Sequence, residues 1–124
     1  MKTQAPARAS AEKPGLFTLK QFIIIEQSQI THCLAAGSYT KIYFTDREPL
    51  VYSRKLCFVH SILGFRNFLR CSRSCIVNIH CIKELKDGGH HNLLLSDGTV
   101  IKIAFRKKKE VSFILNENKI NAVA

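Results

Sequence analysis

The fold of this chain is constrained most by a series of short apolar runs that are separated by turn-forming residues. Runs of about four to eight residues in which apolar and polar positions alternate are typical of half-buried strands. The pattern predicts strands over residues 16–20, 22–25, 30–35, 39–45, 50–53, 68–69, 75–79, 82–85, 92–95 and 99–103. The sequence therefore predicts a mainly β fold of antiparallel sheets.

Two segments have apolar residues at helical spacing and predict short helices. In residues 55–63 these positions are Leu56, Val59, Ile62 and Leu63, and Gly64 marks the helix end. In residues 107–115 they are Val111, Ile114 and Leu115. Turns are predicted at residues 46–49, at Gly88-Gly89 and at residues 96–98, where glycine, proline and aspartate concentrate.

Length and composition fit one domain. The chain has 124 residues, of which 46% are hydrophobic, and domains usually have about 100 to 150 residues. Residues 1–15 show no apolar period and predict a flexible arm or linker, so the domain is expected over residues 16–115, with a tail at 116–124. No apolar run is long enough to be the hydrophobic region of a signal peptide or a membrane-spanning segment. We therefore expect the chain to be cytoplasmic.

The charge balance indicates a polyanionic partner. Nineteen Lys and Arg against nine Asp and Glu give a formal net charge of +10, and neutralising phosphates releases counterions and so favours binding. Two acid-free basic blocks contain Arg54, Lys55, Arg66, Arg70 and Arg73, and Lys102, Arg106, Lys107, Lys108 and Lys109. The alternative is a pair of solvated faces that serve solubility alone.

Residues 68–78 contain the most informative local pattern. Arg70 and Arg73 alternate with Ser72 and Ser74 beside an apolar run, without an acidic residue. The planar fork of arginine suits phosphate oxygens and the O6/N7 edge of guanine, and serine hydroxyls add short hydrogen bonds. The segment predicts a nucleic-acid contact.

The cysteines predict reduced thiols. There are five, at irregular spacing, in a chain without a signal peptide: Cys33, Cys57, Cys71, Cys75 and Cys81. A zinc site is disfavoured because no Cys-x-x-Cys pair is present and the adjacent His80 and Cys81 would point to opposite faces of an extended segment. Arg70 and Arg73 could lower the pKa of Cys71, which gives the hypothesis of a redox-sensitive thiol.

The order of several motifs resembles the LytTR family of bacterial transcription-factor DNA-binding domains, over about residues 16–115. The motifs are Ile30 followed by Ala35-Ala36-Gly37-Ser38-Tyr39-Thr40, the helix at 53–63, Phe68-Leu69-Arg70-Cys71-Ser72-Arg73-Ser74-Cys75-Ile76-Val77-Asn78, Leu95-Ser96-Asp97-Gly98-Thr99, and Arg106-Lys107-Lys108. The segment from Arg70 to Asn78, placed between a helix and a hairpin, is the most diagnostic of them.

The resemblance implies an elongated fold of antiparallel β-sheets with one or two short helices. It also implies that loops between strands, and not a recognition helix, contact the major grooves of DNA. By the family pattern Arg73 and then Arg106 contact base edges, while Arg70, Lys41 and Lys107 contact phosphates. Ser38, Tyr39 and Ser72 complete the predicted DNA-binding residues, although Tyr39 could equally be a packed aromatic.

The chain departs from the family pattern at two places. Ser72 stands where members commonly carry histidine, so a hydroxyl replaces a longer donor. Ala104 and Phe105 precede Arg106, where members usually show serine and often another basic residue. These departures imply an altered target preference. Asn78 is interpreted as a structural residue that satisfies local backbone groups, in preference to a contact with adenine.

Three alternatives to DNA binding remain. An enzyme would use Cys71 or Cys75 as a nucleophile with His80, His90 or His91 as its base, but no phosphate-cradling loop or nucleophile turn accompanies them. A single-strand or RNA binder would need exposed aromatics, whereas Phe44, Phe58, Phe65 and Phe68 are predicted to be buried. The third is a protein-interaction module, for example a receiver-less antagonist of related regulators.

The sequence therefore predicts sequence-specific double-stranded DNA binding by a bacterial transcriptional regulator. No catalytic residue, metal, cofactor, membrane or small-molecule substrate is expected. The resemblance implies a possible homodimer on paired DNA sites. Family members often carry an amino-terminal receiver domain, and the chain is expected to be either a free-standing regulator or the output fragment of a longer protein.

Overall fold

The computed structural model describes residues 18–87, 91–118 and 122–123. The helices are α1 (Leu19–Ile25), α2 (Leu56–Leu63) and α3 (Lys108–Glu117). The strands are β1 (Ile30–Ala36), β2 (Tyr39–Phe44), β3 (Leu50–Tyr52), β4 (Phe68–Ser72), β5 (Cys75–Asn78), β6 (Ile82–Asp87), β7 (His91–Leu95), β8 (Val100–Lys102) and β9 (Ala122–Val123). Three short 3₁₀ turns lie at Gln27–Gln29, Ile79–Cys81 and Phe105–Lys107. Within these described residues, no helix has the length and apolarity needed to cross a membrane.

The strands form two sheets. The first has five strands in the order β3-β2-β1-β5-β4, and all its neighbours are antiparallel. The second has four strands in the order β8-β7-β6-β9, in which β9 alone runs parallel to its neighbour. The predicted mainly β fold with antiparallel sheets is confirmed, and the described residues form three short helices where one or two were predicted.

Two hydrophobic cores lie on opposite faces of the five-stranded sheet. One core packs α1 and α2 against the sheet and includes Phe68 and Ile76, and the other packs the second sheet and α3 against it and includes Leu69 and Val77. Successive side chains of a strand point to opposite faces. The short strand β5 therefore contributes to both cores, and all four of its residues are buried.

The N-terminal strands predicted at residues 16–20 and 22–25 are wrong where the structure describes them, because residues 19–25 form helix α1. Thr18 caps this helix: its hydroxyl accepts from the Gln21 backbone N–H at 3.2 Å, and its own N–H donates to the Gln21 side-chain oxygen at 2.8 Å. This reciprocal capping box satisfies two backbone donors and favours a helix over a strand. The helix buries Phe22 and Ile23.

The remaining predicted elements are present with shifted ends. The predicted strand at 68–69 extends to Ser72, and the last predicted helix runs two residues further, to Glu117. Helix α2 ends at Gly64, whose φ of 89° few residues other than glycine adopt. The predicted turn at Gly88-Gly89, His90 and the predicted arm at 1–15 lie outside the described residues.

Candidate nucleic-acid interface

Main-chain hydrogen bonds join the three segments that the family pattern predicts to contact DNA. The N–H of Ala35, at the end of β1, donates to the carbonyl of Ser74 in the β4–β5 turn at 2.8 Å. The N–H of Ala104 donates to the carbonyl of Cys71 in β4 at 2.9 Å, just before the 3₁₀ turn that carries Arg106 and Lys107. The β1–β2 turn, the β4–β5 turn and the 3₁₀ turn therefore adjoin one another on the folded chain.

The β4–β5 turn presents Arg73 to solvent. Its side chain is exposed and forms no hydrogen bond or ion pair with another described residue. The Ser72 hydroxyl accepts from the N–H of Ser74 at 3.2 Å and lies 3.5 Å from the Ser74 hydroxyl. The two serines thus shape the turn locally, while the Arg73 guanidinium remains available for an external acceptor.

Arg70 fixes the shape of that turn. Its Nε donates to the carbonyl of Ser72 at 2.7 Å, and its Nη2 donates to the carbonyl of Arg73 at 2.6 Å. Hydrogen bonds from an ionised donor are about twice as strong as those between neutral groups. The guanidinium of Arg70 therefore holds the backbone that carries Arg73, and its Nη1 makes no hydrogen bond within the described part of the chain.

Arg106 and Lys107 occupy the 3₁₀ turn and differ in their surroundings. Arg106 is exposed, and its guanidinium makes no ion pair with a described residue. Lys107 is half-buried, and its Nζ lies 3.3 Å from Oε1 of Glu110 in the first turn of α3. Among the candidate residues, Lys107 alone pairs with a carboxylate of the described chain, so its charge is partly neutralised.

The β1–β2 turn places its candidate residues at different depths. Ser38 and Tyr39 are exposed, and the Tyr39 side chain keeps 51% of its accessible surface, so Tyr39 is not a packed core aromatic. Lys41 lies on the strand, not in the loop, with its Nζ 5.5 Å from the centre of the Tyr43 ring. Tyr43 in turn stacks on His32 at 4.4 Å.

Arg54 adjoins the same turn, although sequence reasoning did not include it among the DNA-binding residues. Thr40 pairs with Tyr52 at the end of the β2–β3 ladder, and the N–H of Arg54 donates to the carbonyl of Tyr52 at 2.8 Å. The Thr40 hydroxyl donates to the Arg54 carbonyl at 2.7 Å. The guanidinium carbon lies 3.7 Å from the centre of the Phe58 ring, which holds it by a cation–π contact. Arg54 could have been identified from the sequence because it belongs to the first acid-free basic block.

Asn78 has the structural role that the sequence suggested. It is buried, its Nδ2 donates to the carbonyl of Ile30 at 2.8 Å, and its Oδ1 accepts from the N–H of His80 at 2.9 Å. The amide thus joins the end of β5 to the start of β1. Both of its ends are satisfied inside the protein, so the interpretation of Asn78 as a residue that satisfies backbone groups is confirmed.

The predicted burial of four phenylalanines is wrong for Phe65. Phe44 and Phe68 are buried and Phe58 is half-buried, but Phe65 is 70% exposed, with its ring edge-on to His60 at 4.4 Å. The positive φ of Gly64 directs the chain away from α2, so Phe65 lies outside both cores. Exposed aromatics therefore do occur, and besides Phe65 they include Tyr39 at the start of β2, Phe105 in the last 3₁₀ turn and Phe113 in α3.

The predicted lowering of the Cys71 pKa is also wrong. The thiol is fully buried in the core between the two sheets, and its desolvation raises the pKa well above the ordinary value. Cys75 raises it further, and the charge of Lys107 opposes these effects without overcoming them. Arg70 does not activate the thiol, because two of its nitrogens bind the carbonyls of the adjacent turn.

We expect Cys57 to react first when the native protein is treated briefly with an alkylating reagent near pH 8. Cys57 is exposed on α2, whereas Cys33, Cys71 and Cys75 are buried and burial raises the pKa of each of these thiols. The thiolate is the reactive form, so the buried thiols should label only after unfolding. Peptide mapping by mass spectrometry checks this order, with denatured protein as the control in which all five react. Rapid labelling of Cys71 in the native protein would instead support the hypothesis that this thiol is redox-sensitive.

Exposed arginines without a described partner on adjoining turns of a two-sheet β domain are features of a nucleic-acid-binding module. Residues 20–120 match the family model described as the LytTr DNA-binding domain, and the chain belongs to this family. The family is one of DNA-binding domains and not of enzymes.

The fold agrees with a solved structure. That structure is titled as the LytTr DNA-binding domain of a protein described as a methyl-accepting/DNA response regulator from Bacillus cereus. The two chains are 21% identical, the match covers 71% of this chain and 82% of that one, and the TM-score is 0.64. A search among curated proteins found no match to this chain.

Proposed function

We propose that this domain binds specific double-stranded DNA sequences in the cytoplasm as part of a bacterial transcriptional regulator, with its inter-strand turns in major grooves. The observation that carries the proposal is the main-chain linkage of the three turns, Ala35 to Ser74 and Ala104 to Cys71, which places Arg73 and Arg106 on adjoining segments. Both guanidiniums lack a partner among the described residues. Two such forks on adjoining segments suit two acceptor edges in a groove.

Arg73 and Arg106 are proposed to contact base edges. A guanidinium can donate two parallel hydrogen bonds to O6 and N7 of guanine, which is the commonest specific contact in the major groove. Arg70 supports this role because it holds the two carbonyls on either side of the turn tip. A turn that is already shaped before binding loses less conformational freedom in the complex.

Lys41, Arg54, Arg70 and Lys107 are proposed to contact phosphates. Arg70 has Nη1 available, and stacking on Phe58 leaves the in-plane N–H groups of Arg54 able to donate. Contacts of this kind position a protein on the duplex and make its affinity depend on salt. Ser38, Tyr39 and Ser72 would add short hydroxyl contacts at the groove edge.

Selection of bound duplexes from a random pool at a stated salt concentration tests the proposal. We expect an enriched motif with at least one guanine, and binding that persists in the presence of random-sequence competitor. Two copies of the motif at a fixed spacing would support a homodimer on paired sites. Loss of binding to the competitor would reject sequence-specific recognition and favour the interaction-module alternative.

Replacing Lys107 by alanine is expected to weaken binding to all duplexes alike. One lost phosphate contact lowers the magnitude of the slope of log K against log salt by about 0.9. Fluorescence anisotropy titrations over a salt series on the selected duplex and on a random duplex measure both quantities.

Glu110→Gln is the matched control for this substitution. It removes the carboxylate 3.3 Å from Lys107 Nζ and should strengthen binding to both duplexes. A Lys107→Ala defect confined to one base position would contradict the phosphate role.

A further inference from the structure

Phe105 is the most exposed large apolar residue within the described part of the chain. It keeps 82% of its accessible surface and lies directly before Arg106, at the start of the 3₁₀ turn. The preceding residue, Ala104, is hydrogen-bonded to Cys71 at 2.9 Å, so the position of Phe105 relative to the β4–β5 turn is set by the backbone. Neither hydrophobic core includes its ring.

The geometry of the turn places Phe105 and Arg106 on its outer side. A 3₁₀ helix has about three residues per turn, so successive side chains point in directions about 120° apart. Lys107 takes the inner direction, where it is half-buried and pairs with Glu110. Phe105 and Arg106 are both exposed and so share the remaining surface.

An apolar ring beside a base-contacting arginine has a specific partner in the major groove. The groove edges of the four base pairs present hydrogen-bond donors and acceptors, and the one apolar group among them is the C5-methyl of thymine. We propose that Phe105 contacts this methyl group and selects for thymine next to the base pair that Arg106 contacts. The inference rests on the proposed function and assigns to Phe105 a specificity that the two arginines cannot supply.

Single replacements of thymine by deoxyuridine in the selected duplex test the inference, because they remove the methyl group and leave base pairing intact. The wild-type chain should lose about fourfold in affinity at one position, the factor expected when one methyl group leaves an apolar contact. Phe105→Ala should bind the thymine and deoxyuridine duplexes equally well. The ring is exposed, so the fold should tolerate this change, and the unfolding temperature should match the wild type.

Phe113→Ala is the matched control, since Phe113 is also an exposed phenylalanine, at 65%, but lies further along α3. It should discriminate thymine from deoxyuridine as the wild type does. Equal binding of both duplexes by the wild type, or retained discrimination in Phe105→Ala, would overturn the inference. So would a Phe105→Ala defect found on single-stranded DNA but not on the duplex, which would indicate stacking on an unpaired base. Failure of the wild type to select any duplex would instead reject the proposed function.

Discussion

Replacing Arg73 by alanine is expected to weaken binding to the preferred duplex by about 1 to 3 kcal/mol and to relax discrimination at one base position. Arg73 is exposed at the tip of the β4–β5 turn, and its guanidinium has no partner among the described residues. Its loss therefore removes an external contact without leaving an unsatisfied group inside the protein. Titration of the variant against duplexes mutated at each position in turn locates the base pair concerned.

Arg73→Lys separates the charge from the shape of the side chain. Lysine keeps the positive charge but lacks the planar fork, so affinity for random DNA should remain near that of the wild type while discrimination at the same position is lost. A uniform loss over all sequences in both variants would instead assign Arg73 to a phosphate. In that case Arg106 would be the remaining candidate for a base edge.

Replacing Asn78 by alanine is expected to lower the free energy of unfolding by roughly 2 to 4 kcal/mol. The substitution leaves the carbonyl of Ile30 and the N–H of His80 without the side-chain partners that the buried amide supplies at 2.8 and 2.9 Å. An orphaned buried polar group costs more than the net value of the hydrogen bond it loses. Denaturant titration measures the change, provided that the free energy of unfolding falls with denaturant concentration at the same slope in both proteins.

Asn116 provides the control for Asn78. It is exposed near the end of α3, so Asn116→Ala should change the free energy of unfolding by no more than about 0.5 kcal/mol. At a temperature where Asn78→Ala remains folded, its base discrimination should equal that of the wild type. Altered preference for adenine in the folded variant would contradict the structural role.

Local sequence patterns were sufficient for most of the β structure. In β2, buried Ile42 and Phe44 alternate with more exposed residues, and in the turn predicted at residues 96–98 Gly98 has a φ of 94°. The apolar run at 22–25 carries no such alternation, so periodicity could not distinguish a strand from a buried helix. The signal that decides it is the spacing of Thr18 and Gln21, which form the capping box of α1.

The candidate interface was predictable in its segments but not in the contacts of its side chains. The basic residues and the family pattern indicated the three turns, whereas the carbonyl acceptors of Arg70 come into reach only when β4 and β5 pair. Charge along the sequence also suggested an activated Cys71. Burial by the second sheet outweighs that charge, and burial depends on packing between distant segments.

Strand β5 is buried on both faces of the sheet, and this limits the positions at which the DNA preference of the domain can be changed by mutation. The residues of β4 and β5 that flank the turn are divided between the two cores, so a substitution at any of them would disturb the packing of one face of the sheet. Positions 72–74 are outside both cores. A mutant library confined to these three positions can therefore vary recognition without disturbing either core.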